Sequence, residues 1–204
     1  MVAVAVHCMQ LLDIRQEMKS RLAVIGDGPL ALIAIQVAKA FGIKHVTLFG
    51  KHESRLKLAL SLGANEAYSV FDEAKIKEQE NSYSYVVESV GGRQAETIQT
   101  CIKLAISGAH IAVLGVYDFN YLGPIYLRNL FYKEIKLIGS NSYSIWNNNK
   151  EFNKALDLIV KGLVNVKPLI SHKLALKEFH SALDRIKTNR GEKPLKIIFD
   201  PTLE

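Results

Sequence analysis

Residues 21–39 read RLAVIGDGPLALIAIQVAK, an apolar run that passes through Gly26-Asp27-Gly28 directly into a second apolar run. Few local patterns constrain a fold more. The first run has the length of a buried parallel strand, and the second, opened by Pro29, has the length and composition of a helix. Strand, glycine turn and helix in that order form the unit that holds a dinucleotide diphosphate. Gly26 permits the tight turn and Gly28 lets the backbone approach the phosphates. The helix start at Pro29 and Leu30 aims free N–H groups and a positive dipole end at the anion. Ala31 stands where a third glycine is common, a position that asks only for a small side chain between helix and strand.

A glycine pair alone is a weak signal, because glycine turns open loops in many unrelated α/β proteins. Its surroundings carry the reading. The helix is expected to stop at Phe41-Gly42 and residues 45–49 to form a second strand, completing a βαβ unit. At the end of that strand an NAD site offers Asp or Glu to the ribose 2′-hydroxyl, whereas this chain reads Gly50-Lys51-His52. With no carboxylate there to repel a 2′-phosphate, and with Lys51 and Arg55 at hand, the pocket is expected to favour NADP, with NAD as second choice. The competing reading makes Lys51 and Arg55 ordinary solvated residues at a helix start.

The chain continues as alternating helices and strands. Residues 53–62 form an amphipathic helix closed by Gly63, 66–70 a short strand, 83–90 a buried strand ending at Gly91-Gly92, and 93–106 a helix closed by Gly108. Residues 110–116 and 135–140 supply a fifth and a sixth strand. Six strands joined by helical crossovers predict an α/β fold with a doubly wound parallel (Rossmann) sheet. Ligand is then expected across the carboxyl ends of the strands, where Gly26, Gly28, Gly50, Ser89, Val90, Gly91, Leu114, Gly115, Val116, Ser140 and Asn141 converge. The tail reads as helix 149–161, strand 170–174, amphipathic helix 176–189 and strand 195–199, a small C-terminal α/β appendage. We divide the chain into an interdomain helix and linker at 1–20, a dinucleotide-binding domain at 21–163 and the appendage at 164–204.

With 204 residues and 49% hydrophobic content the chain can bury one sizeable core. Its formal charge of +6 invites a nucleic-acid reading. The distribution argues against that reading: lysines are scattered at helix-face spacing, and the cluster Lys187, Arg190, Lys193 and Lys196 falls in a polar turn and the strand after it. Cys8 and Cys101 cannot build a disulfide framework and have no C-x-x-C spacing, which suits buried thiols in a reducing cytoplasm. No apolar run reaches the length of a membrane span, roughly 18 residues, and residues 1–12 lack an export signal.

Taken in order, VIGDGPLALIAIQVAKAFG, RLKLALSLGA, VVESVGG, GAHIAVLGV, EIKLIGSNSYS, KPLISHKLALKEFHSALDRI and LKIIFDP closely resemble the medium-chain dehydrogenase/reductase family, in its zinc-type alcohol dehydrogenase branch. The resemblance spans nearly the whole chain. It implies a nicotinamide lying across Gly115-Val116 and Ser140-Asn141, and hydride exchange with an alcohol or carbonyl polarised by zinc. It also implies a GroES-like β domain with the zinc ligands ahead of Met1, outside these residues, and residues 1–14 as the interdomain helix that follows it. Nucleotide domains of the family commonly pair edge to edge, which matches the stretch 134–144. There Ile135, Leu137 and Ile138 would leave an apolar sheet edge open, so a homodimer or larger assembly is expected unless the loop at Gly123 and Pro124 covers the edge. Val4, Leu11 and Leu174 are expected on a second apolar face left by the β domain.

Zinc can be assessed without the resemblance. The histidines at 7, 45, 52, 110, 172 and 180 form no H-x-x-x-H or H-E-x-x-H pair and have no cysteine partner, so no metal and no catalytic residue is expected in this chain. Tyr132-Lys-Glu-Ile-Lys136 imitates the Tyr-x-x-x-Lys pair of short-chain dehydrogenases but straddles the entry to a strand. Tyr132 is therefore expected in the core and Lys136 at the edge. Three readings of function remain: the NADP(H)-binding part of a zinc-type dehydrogenase, a non-catalytic NADP(H)-binding or sensing module, and a methyltransferase-like protein. Gly50 disfavours the third, because such sites also want an acid there.

Overall fold

The computed structural model describes residues 1–14, 20–92, 96–146, 148–188 and 194–203. Readings that involve Arg93, Asn189, Arg190 or Lys193 therefore lie outside the described residues. Two compact units are present, Met1–Val164 and Asn165–Glu204.

The first unit contains α1 (Val2–Leu11), β1 (Arg21–Ile25), α2 (Pro29–Ala40), β2 (His45–Gly50), α3 (Glu53–Ser61), β3 (Glu66–Ser69), α4 (Glu73–Glu78), β4 (Tyr83–Glu88), α5 (Glu96–Leu104), β5 (Ala105–Val113), α6 (Leu127–Tyr132) and β6 (Lys136–Gly139). A two-residue antiparallel pair, β7 (Ile145–Trp146) with β8 (Asn149–Lys150), leads into α7 (Glu151–Val160). The six main strands form one parallel sheet in the order β3-β2-β1-β4-β5-β6, as the doubly wound reading requires. After β3 the chain returns to lay β4 beside β1, so the switch in winding direction falls between those two strands.

Near-continuous apolar strands are what a sheet covered on both faces demands. Leu22, Ala23, Val24, Val46, Leu48, Val86 and Val87 are fully buried, and α2 buries eight consecutive residues, 31–38. Each large aliphatic side chain so placed contributes roughly 1.5–3 kcal/mol. Phe49 anchors one side of the sheet through Tyr68 and Tyr83, with ring centroids 5.9 and 6.1 Å away. Cys8 and Cys101 are both buried and unpaired. Helix α1 packs on α2 and α7, tied to the latter by His7 Nδ1 and Glu151 Oε1 at 2.7 Å, with Glu151 wholly inaccessible.

Several expectations are corrected. The six-residue helices α4 and α6 carry too little apolar periodicity to announce themselves. α5 stops at Leu104, and β5 starts at once with Ala105 beside Tyr83. The pairing then slips, so that Tyr85 meets His110, and Gly108 takes a φ of +76° within that irregularity. At the other end β5 leaves the sheet after Val113 rather than at 116, because Leu114 N and Gly115 N turn to donate to the Glu88 carbonyl. Tyr132 is not a core residue: at 65% exposure it ends α6 on the surface, against Phe131 and under Arg128. Lys136 is exposed at the start of the edge strand β6, as expected.

In the second unit β9 (His172–Ala175) and β10 (Ile197–Asp200) pair in parallel, and α8 (Phe179–Thr188) follows a 3-10 turn at Leu176–Glu178. Phe179 of α8 meets Phe199 of β10 at 5.2 Å. Both strands begin two residues later than the sequence suggests.

Candidate functional site

Strand register determines what lies at the carboxyl edge of the sheet. Ile25 pairs with both Phe49 and Glu88, and Glu88 with Val113, so the turns after β1, β2, β4 and β5 open side by side. A cleft of about 420 Å³ lies there, lined by residues of the turns after β1, β2, β3 and β4 and of α5.

The glycine turn forms one wall. Gly26 has a φ of +113°, and its N–H donates to the Phe49 carbonyl at 2.8 Å; a methyl group on it would meet Ser89 Oγ at 2.7 Å. Only glycine satisfies that conformation and that clearance together. Gly28 differs: it is extended, caps α2 without a side-chain hydrogen bond, and has open space where a Cβ would stand. The first N–H groups of the twelve-residue α2 thus face an unobstructed approach, the geometry that accepts a phosphate.

The residue between the two glycines received no role from sequence, yet it organises the opposite wall. Asp27 Oδ2 accepts from Lys51 N at 2.7 Å, His52 N at 2.7 Å and His52 Nδ1 at 2.9 Å, while Oδ1 lies 3.5 Å from Arg55 Nη1. Burial opposes charge on Asp27, but the donors from His52 and Lys51 outweigh it and hold the carboxyl below its usual range. The carboxylate fills the space beside Gly50, where an added Cβ would lie 2.7 Å from Asp27 Cβ and 3.0 Å from Oδ2. The premise that no carboxylate adjoins this end of the pocket therefore does not hold: one is present, supplied by the first turn instead of the end of β2. Its signal in the sequence was joint, an acid between the glycines together with a glycine where the acid is normally found.

Of the expected site residues, Gly26, Gly28, Gly50, Lys51, Arg55, Ser89 and Val90 line the cleft, with Asp27, Val70, Phe71, Glu96, Thr97 and Thr100 added to them. Pro29 and Leu30 begin α2, and His52 caps α3. Gly91, Leu114, Gly115 and Val116 do not line it. Their turns are pressed together instead: a Cβ on Gly91 would lie 2.3 Å from Val116 O, and one on Gly115 would lie 2.4 Å from Gly91 N. Glu88, fully buried, braces that contact by accepting from Val90 N, Gly91 N and Thr97 Oγ1 at 2.9–3.1 Å. Ser140 is buried beyond β6, its N–H on Val113 O, and Asn141 is exposed; neither lines the cleft. Among the described residues no three His, Cys, Asp or Glu side chains come together in a way that could hold a metal ion, and no helix is long and apolar enough to cross a membrane.

Residues 29–161 match the family model described as zinc-binding dehydrogenase. Sorbitol dehydrogenase 1 of Saccharomyces cerevisiae is 30% identical over 211 residues, covering 98% of this chain and 56% of that protein. Crystal structures of galactitol-1-phosphate dehydrogenase from Escherichia coli (TM-score 0.82, 25% identity, 98% of this chain and 58% of that one) and of a zinc-binding dehydrogenase from Sinorhizobium meliloti (TM-score 0.84, 23% identity, 98% and 57%) have the same fold. The chain spans about half the length of the curated relatives it matches. It belongs to the zinc-binding dehydrogenase family, whose nucleotide-binding domain it covers.

Proposed function

We propose that this chain binds a nicotinamide dinucleotide and serves as the cofactor-holding part of an alcohol dehydrogenase-like oxidoreductase. The carrying observation is the cleft itself, with an uncapped helix N-terminus and the open space beside Gly28 at the switch point of a doubly wound sheet. In this reading the N-terminal N–H groups of α2 hold the diphosphate, Gly50, Lys51 and Arg55 surround the adenosine ribose, and Val70 and Phe71 offer apolar surface to the adenine. The turns at Ser89–Gly91 and Leu114–Val116, locked to each other, support the nicotinamide side. When bound, the nicotinamide supplies hydride chemistry; the chain orients it and presents one face. A sorbitol, galactitol 1-phosphate or other alcohol substrate would meet that face in a complete enzyme, and the relatives' names favour a polyol.

The described residues do not fit a catalytic zinc, so we assign this chain no metal-dependent step. A non-catalytic NAD(P)(H)-binding or sensing module is the second reading. We further propose a cytoplasmic setting, in keeping with the two buried free thiols, and a homodimer or larger assembly through the edge strand β6. Exposed Phe119, Leu122, Leu127 and Phe131 in the segment before that strand support the assembly. A separate GroES-like domain would complete the substrate cleft, and the division at 1–20, 21–163 and 164–204 is our proposal for the chain's parts. Lys51 and Arg55 speak for NADP, whereas Asp27, next to Gly50, speaks for NAD. Fluorescence titration tests the main reading: saturable binding of NADH or NADPH in the micromolar range is expected, and failure of both to bind overturns it.

A further inference from the structure

We propose that Asp27 is the residue that recognises the adenosine ribose, and that through it the site prefers NAD(H) to NADP(H). The inference rests on the dinucleotide reading and makes it specific. An acid that selects NAD must sit beside the end of the second strand, where the ribose 2′-hydroxyl arrives. Position 50 cannot provide one, and a side chain there would collide with Asp27 Cβ at 2.7 Å. The Asp27 carboxylate occupies that volume itself, reached from the turn after β1 across 22 intervening residues. It is 7% exposed, and the cleft is the side it lines.

The two oxygens have different work. Oδ2 is engaged by three donors within 2.9 Å, which hold the carboxylate in position. Oδ1 meets Arg55 Nη1 at 3.5 Å and, with two lone pairs, retains capacity to accept from a hydroxyl donor. A 2′-hydroxyl can donate to it. A 2′-phosphate has no proton to offer and brings like charge against a carboxylate that is ionised and largely screened from water. Of the cations near the ribose, His52 and Arg55 already face Asp27, which leaves Lys51 as the charge a 2′-phosphate would have to rely on.

The test compares dissociation constants of NADH and NADPH for the whole chain and for Asp27→Asn, which preserves shape and one acceptor oxygen. Wild type is expected to bind NADH at least about tenfold more tightly, and the variant to bring that ratio below about threefold. ADP-ribose and its 2′-phosphate, measured by competition on wild type alone, give the same discrimination without relying on the variant's folding. Equal or tighter binding of the 2′-phosphorylated ligand overturns the proposal, as does a ratio that Asp27→Asn leaves unmoved while both dinucleotides still bind. Binding of neither dinucleotide overturns the underlying reading, and this proposal with it.

Discussion

Gly91 and Gly92 offer a paired experiment in which backbone strain is constant and only the surroundings change. Their φ angles are +66° and +67°, so alanine at either position pays the left-handed penalty of about 1–2 kcal/mol. At Gly92 the new methyl group meets nothing within 4 Å among the described residues. At Gly91 it would lie 2.3 Å from Val116 O, 2.6 Å from Val116 N and 2.7 Å from Val116 C, backbone atoms that cannot rotate away. Gly92 N also donates to Val116 O at 2.7 Å, so shifting Val116 strains a second contact. Overpacking of this kind adds about 1–3 kcal/mol. Gly92→Ala is therefore expected to lower the melting temperature by a few degrees and Gly91→Ala by roughly twice as much, at about 2–4 °C per kcal/mol for a chain of this size. Thermal denaturation followed by circular dichroism, with urea titrations to compare midpoints, reads the difference. In the proposed reading this contact supports the nicotinamide side, so Gly91→Ala should also weaken dinucleotide binding while Gly92→Ala leaves it nearly intact. Equal destabilisation by the two variants would refute the close approach of the turns after β4 and β5.

Gly50→Asp is expected to destabilise the chain and to weaken both dinucleotides, because its side chain would enter the volume held by Asp27 and bring a second carboxylate beside it; a clean gain in NADH affinity with unchanged stability would contradict this. Glu151→Ala removes the Nδ1 partner of His7 and the acceptor of Ser144 N, so a loss of about 3 kcal/mol in urea denaturation is expected, whereas alanine at the exposed Glu53 should leave the midpoint nearly unmoved. Asp27 has a depressed carboxyl pKa in the folded state, so its contribution is fully present above the ordinary value of 3.8 and is lost as pH falls through the lower folded value; Asp27→Asn should flatten the stability curve in that acid range and nowhere else. Sedimentation of the chain at high concentration is expected to give a dimer or larger, and a clean monomer of 22.8 kDa would refute assembly through β6.

Local pattern was enough for the elements and their order. Apolar runs of strand length, helices opened by Pro29 and closed by Gly63, and glycine turns between them follow from periodicity and backbone sterics that act over a few residues. The cleft's glycine wall was legible for the same reason. What depended on distant parts of the chain was not. Whether Asp27 or residue 50 supplies the acid is decided by the register of β1 against β2, which brings two turns separated by more than twenty residues into hydrogen-bond contact. Likewise the mutual wedging of Gly91 and Gly115 comes from β4 and β5 ending together, and it presses their turns against each other outside the cleft lining. Tyr132 reads as a core aromatic from composition, and only the end of α6 turned it to the surface. Sequence determined which backbone conformations and apolar faces were available. Tertiary structure decided which side chains share a space, because strand pairing sums many weak contacts that no local window contains.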